Sequence, residues 1–160
     1  MTITTDTAFE SWQAWRVERT RELSRPHGWL SLTGLHWLDS ADSDIEGLPG
    51  RWRSVEGGVL VTARADDAIV LDGVPVEGEV GVRTVEGAAG VLVEIGERRV
   101  EVMQRSGLQA LRVRDPHAPV LARFRAGEGV PVFDYDPAFR VEGSFQPFEQ
   151  ARDVVVGSVV

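Results

Sequence analysis

The chain has no cysteine and no lysine. Without cysteine there is no disulfide, no thiolate nucleophile and no cysteine-ligated zinc or iron–sulfur centre. Without lysine there is no Schiff base and no phosphate-loop amine, and all 17 basic residues are arginine, whose planar guanidinium suits carboxylates. Also missing are an apolar run long enough to span a bilayer, a G-x-S-x-G nucleophile turn, an H-E-x-x-H metal motif and a glycine-rich phosphate loop. The N-terminal stretch has no basic region followed by an apolar core, so no signal peptide is expected. The absence of cysteine fits either redox compartment, and it is the missing signal peptide and spanning run that lead us to expect a cytoplasmic protein.

What is present is ordinary for a globular domain. The 160 residues suit one domain, with 42% hydrophobic and 26% charged side chains. A net charge of −8 argues against nucleic acid and anionic membranes as partners.

Residues 1–6 read as a loose tail. Thr7 and Glu10 then have capping-box spacing, and Phe9, Trp12, Trp15, Arg19 and Leu23 recur at helical intervals. Glu18 with Arg21, and Glu22 with Arg25, are opposite charges three residues apart. Pro26 and Gly28 end the run. The pattern predicts an amphipathic helix over about 8–24, within an N-terminal unit (7–26) packed on a β-rich domain (27–160).

From Gly28 onward the period is two. Strands are predicted at 58–64, 68–76, 80–85, 91–95, 98–105 and 108–114, with tight turns at Asp72-Gly73, Gly96-Glu97 and Ser106-Gly107. A further strand is expected in "AFRVEGSFQPF", where Phe139, Val141 and Phe145 share one face, and another in the closing "DVVVGSVV". The fold class is mainly β: an antiparallel β-sandwich or partly open barrel preceded by one amphipathic helix.

Candidate site residues are few. "GWLSLTGLHWLDS" (28–40) breaks phase at Gly34, as a β-bulge would. Its leucines are expected in the core, with Trp29 and Trp37 over the ends and His36 left as a possible general base. In "LRVRDP", Arg112 and Arg114 share a strand face. They read as an anion clamp or, more simply, as partners of surface carboxylates. Asp115 could orient His36, and Trp37 could line the same site. Asp134 and Asp136 flank Tyr135 as paired carboxylates or, more simply, as turn residues. The three histidines are too scattered to suggest a metal site, and no cofactor is expected.

The segments "PHGWLSLTGLHWLD", "QRSGLQALRVRDPHAP" and "FDYDPAFRVEGSFQPF", preceded by the helical "SWQAWRVERTRELSRP", occur in order and resemble the bacterial domain of unknown function 1684 family. The resemblance runs from about Phe9 to the end. It implies a β-rich fold and no particular activity. It also implies a chain shortened at its C-terminal end, since the family's further strands and its Asn-Pro-Pro-Cys-Ala-Phe segment are absent. Two functions follow as expectations. One is a small-ligand-binding or accessory module without chemistry of its own. The other is a hydrolase- or lyase-type enzyme with His36 as base, Asp115 as its partner and Arg112 or Arg114 anchoring a substrate carboxylate. A homo-oligomer through the C-terminal edge strand is a third possibility.

Overall fold

Alternating side chains and two-residue turns build the fold hairpin by hairpin, as seen in a computed structural model that describes residues 4–151 and 153. Among these residues nine strands form: β1 (Leu32–Trp37), β2 (Arg51–Val55), β3 (Gly58–Ala63), β4 (Ile69–Leu71), β5 (Val74–Pro75), β6 (Gly78–Arg83), β7 (Val91–Ile95), β8 (Arg98–Arg105) and β9 (Leu108–Arg114). A six-stranded antiparallel sheet has the order β1-β9-β8-β7-β4-β5, and a three-stranded one the order β2-β3-β6. The sheets face each other across one core and do not close into a barrel.

The turns sit where their residues place them. Asp72 and Gly73 both take positive φ (51° and 78°), as do Ser106 and Gly107 (52° and 77°), the geometry that matches strand twist in a two-residue hairpin. The Glu86 carboxylate accepts the amides of Ser106 and Gly107, each at 2.9 Å, and so holds the second of these turns. Those amides, Gly107 first, keep its carboxyl below the usual range.

Trp52 on β2, Val59 and Val61 on β3, Val82 on β6, Val93 on β7, Val100 and Val102 on β8 and Leu111 on β9 are all buried in one cluster. Where polar groups enter the interior they are satisfied: Thr84 donates to the Gln109 side chain at 2.8 Å, and Trp52 Nε1 donates to the Pro49 carbonyl at 3.0 Å. At Gly58 a methyl group would run into the Val82 carbonyl, so β3 and β6 approach more closely than any side chain there would permit.

β2 was not anticipated from the sequence, because "RWRSV" offers one apolar side chain between arginines. Nor was the short helix α2 (Pro119–Arg123), which starts on Pro119 and buries Leu121 completely. Conversely, "AFRVEGSFQPF" forms no strand: Phe139, Val141 and Phe145 are 80%, 88% and 91% exposed. The alternation is there, but among the described residues nothing pairs with it. Most of "DVVVGSVV" lies outside the described residues, as do residues 1–3.

Helix α1 spans Thr4–Leu23, so residues 4–6 belong to the helix rather than to a tail. Thr7 is therefore inside the helix, not at its cap, and its carbonyl accepts the Ser11 hydroxyl at 2.8 Å. The two ion pairs form, Arg21–Glu18 at 2.6 Å and Arg25–Glu22 at 2.7 Å. The Arg21 hydrogen bond holds the Glu18 carboxyl below its ordinary value. Of the residues from Thr7 to Arg21, only Ala8 and Trp12 are half-buried and the rest are exposed. The apolar stripe of the helix meets the chain around Tyr135.

The β7–β8 turn ties the helix exit to the end of β9. The Glu97 carbonyl bonds His27 Nε2, and its carboxylate bonds His117 Nε2, each at 2.8 Å. This bond raises the His117 pKa above its ordinary 6.5, and the charge on Glu97 adds to the effect. A histidine with a raised folded-state pKa stabilises most below its unfolded value and loses that contribution as pH rises through the folded one. An NMR titration should therefore give His117 a pKa above 6.5 in the native chain and a lower one in Glu97→Gln.

Candidate functional site

β1 runs along the edge of the large sheet, paired with β9, and its register slips between Leu32 and Gly34, leaving Thr33 unpaired as a bulge. The predicted break is there, one residue early. It puts only part of the segment inside: Leu38 is buried in the core and Leu30 is half-buried. Leu32, Leu35 and Trp37 are 39%, 44% and 41% exposed, while Ser31 is fully buried with its hydroxyl donating to the Gly28 carbonyl. After the bulge His36, not Leu35, shares a face with the core residue Leu111, its pairing partner. The ring lies over Gly34, where a β-carbon would come within 2.5 Å of Nε2. His36 is half-buried, and among the described residues its ring makes no hydrogen bond.

Arg112 and Arg114 lie on the opposite face. Their register partners on β1 are Leu35 and Leu32, and Trp37 follows two pairs beyond Leu35, against Ala110. So the sheet brings Trp37, Arg112 and Arg114 to one side and turns His36 to the other. Both guanidiniums already hold a carboxylate: Glu101 Oε2 lies 3.1 Å from Arg112 and 3.7 Å from Arg114. Arg114 also donates to the Gly28 carbonyl at 2.9 Å. Asp115 closes a turn, its carboxylate accepting the His117 amide at 2.7 Å and its own amide donating to Ser31 at 2.8 Å. The pairing register thus separates His36 from Arg114, and the Asp115 carboxylate is engaged by the His117 amide.

The hollow lies elsewhere. A groove of about 980 Å³ runs between α1 and residues 131–140, with Trp12, Trp15 and Arg19 on the helix side and Phe133, Tyr135 and Phe139 among those opposite. Tyr135 is its anchor, edge-on to Phe9 at 5.4 Å and tilted against Trp12 at 5.7 Å, while Phe9 stacks on Trp12 at 5.8 Å. Arg16 lies over the Trp12 ring at 4.8 Å and Arg19 over Trp15 at 5.4 Å. Arginine over an indole face adds a cation–π attraction and leaves the stacked edge of the ring apolar.

The charged groups of this groove are largely engaged. Asp136 accepts the Ala138 amide at 2.8 Å and starts a single 3-10 turn, which is turn chemistry rather than a carboxylate pair. Arg140 is paired with Glu142 at 2.7 Å. Among the described residues no cluster of three or more histidine, aspartate and glutamate side chains is placed to hold a metal ion. What the groove then offers is chiefly aromatic surface and shape.

Sequence reasoning found the helical wall of this groove and not the other, which it read at Asp134 and Asp136 as a turn or a carboxylate pair. The helical spacing of Phe9, Trp12 and Trp15 is legible, but nothing local links it to Tyr135 more than 100 residues later. No protein-family profile, curated protein or solved structure matches the chain. Among the described residues no helix is long and apolar enough to cross a membrane.

Proposed function

We propose that the protein is a small-ligand-binding module without chemistry of its own, taking a planar, largely apolar molecule into the groove between α1 and residues 131–140. The observation that carries this reading is the facing of Trp12 and Trp15 with Tyr135 and Phe139 around one hollow. Aromatic faces supply large contact area at little cost in side-chain entropy, and they favour flat ligands that stack. The hydrolase or lyase reading draws no support from the geometry, because its base and its carboxylate anchors occupy opposite faces of the sheet. Membership of the domain of unknown function 1684 family, on the ordered motifs, is part of the same proposal. So is a cytoplasmic setting away from nucleic acid, on charge and composition.

A thermal-shift screen with a panel of planar aromatic compounds tests it, since a ligand that binds only the folded chain raises the midpoint by mass action. Hits should weaken by about tenfold or more in Trp12→Ala and in Tyr135→Ala, as expected for aromatic anchors. Arg112→Gln should leave them unchanged. Hits lost in Arg112→Gln and retained in Trp12→Ala would move the site to the sheet.

A further inference from the structure

Residues 140–146 alternate strictly, with Val141 and Phe145 on one side and Arg140, Glu142, Ser144 and Gln146 on the other. This is the pattern of a strand with one apolar face, yet among the described residues nothing pairs with the segment, and Val141 and Phe145 are about nine-tenths exposed. Elsewhere in the same molecule a strand edge is open. Of the four sheet edges, β2 is covered by the chain before it, through the Ser43–Trp52 bridge and the Ser54 amide bonded to Asp39 at 2.7 Å. β5 is two residues long and ends in Pro75, and β6 carries Glu79 and Arg83. Short length, proline and charge are the usual guards against edge pairing. β1 has none of these three: its six residues include no charged carboxylate or guanidinium and no proline, its bulge at Thr33 sits near one end and leaves Gly34–Trp37 in regular register, and among the described residues nothing pairs with its outer side.

The donor cannot easily serve its own edge. Tyr135 is anchored on Phe9 and Trp12, and Trp12 lies eleven residues before the helix end at Leu23, roughly 16 Å out along the helix axis at the α-helical rise. The exit of that helix leads directly into β1. Helix and segment thus form an arm that carries residues 140–146 away from the sheet of their own copy.

We propose that residues 140–146 of one copy add as a strand to the open edge of β1 in a second copy, and reciprocally, giving an arm-exchanged dimer. Backbone hydrogen bonds supply the pairing, while Val141 and Phe145 lie along the exposed Leu35 and Trp37. The absence of charge on β1 and the internal Arg140–Glu142 pair leave no like-charge contact to oppose two acidic chains at this seam. A buried aromatic side chain contributes on the order of 200 Å². Counting both sides of both seams, the exchange buries on the order of 1,500 Å², the size of a standard stable interface.

Sedimentation velocity on the full chain tests the proposal, with two variants. Val141→Pro, in an exposed segment, removes strand pairing by the donor, and Leu35→Lys charges the acceptor edge. The wild type should be a dimer, each variant alone should weaken dimerisation by roughly 100-fold or more, and their circular dichroism should be unchanged. Mixing the two variants should restore a heterodimer, because one keeps an intact acceptor and the other an intact donor. A wild type that stays monomeric at the highest concentration reached overturns the proposal. So does a dimer untouched by Val141→Pro, which would place the contact elsewhere even if Leu35→Lys failed to fold.

Discussion

Replacing Trp52 with alanine is expected to cost the fold about 3–5 kcal/mol, the range for truncating a fully buried large aromatic. Trp52 is the largest completely buried side chain, and it sits on a three-stranded sheet whose hold on the larger sheet depends on a single core. Its loss removes transfer free energy, opens a cavity beside Val61, and strands the Pro49 carbonyl that the indole now satisfies. Domains of this size have only about 5–15 kcal/mol to lose, so the variant should unfold at much lower denaturant with an unchanged slope. Trp52→Phe should recover most of the deficit, leaving the missing hydrogen bond. An alanine variant within about 1 kcal/mol of wild type would mean that the two sheets do not share the core described.

Glu101→Gln should produce the second largest effect, about 1–3 kcal/mol. The carboxylate is shared by two guanidiniums on neighbouring positions of one strand face, with side-chain exposures of 16% for Glu101, 28% for Arg112 and 16% for Arg114. Removing its charge leaves two cations side by side in a half-desolvated setting, and only Arg114 retains another acceptor, at Gly28. The deficit should shrink as salt screens the repulsion. It should also shrink when Arg112→Gln is added, since one cation is then gone. A deficit indifferent to both would mean that Glu101 acts through packing alone; Gly90 leaves just enough room for its methylene groups.

The β-meander was legible because its signals are local. Asp72-Gly73, Gly96-Glu97 and Ser106-Gly107 fix hairpins by backbone geometry, and the valine-rich runs between them need only their neighbours to pair. The fate of residues 139–148 was not legible, because alternation states which face a strand would bury and not whether a partner exists. His36 shows a different limit. The bulge at Thr33 brings Leu32, Leu35 and Trp37 to one face, as a break at Gly34 also would, but the apolar pattern does not state that this face belongs to Arg112 and Arg114 rather than to the Leu111 core. That same bulge separates His36 from Arg112 and Arg114, which no spacing rule could have shown. The groove at Tyr135 depends on a contact across most of the chain, and helical periodicity supplies only one of its walls.

The most direct measurement follows the five tryptophan indole N–H signals by two-dimensional NMR while a planar aromatic ligand from the screen is titrated in. The groove reading expects the Trp12 and Trp15 signals to move together and saturate, with Trp52 and Trp37 still. Saturable movement of Trp37 with Trp12 and Trp15 unmoved would contradict it and return the site to the face of Arg112 and Arg114.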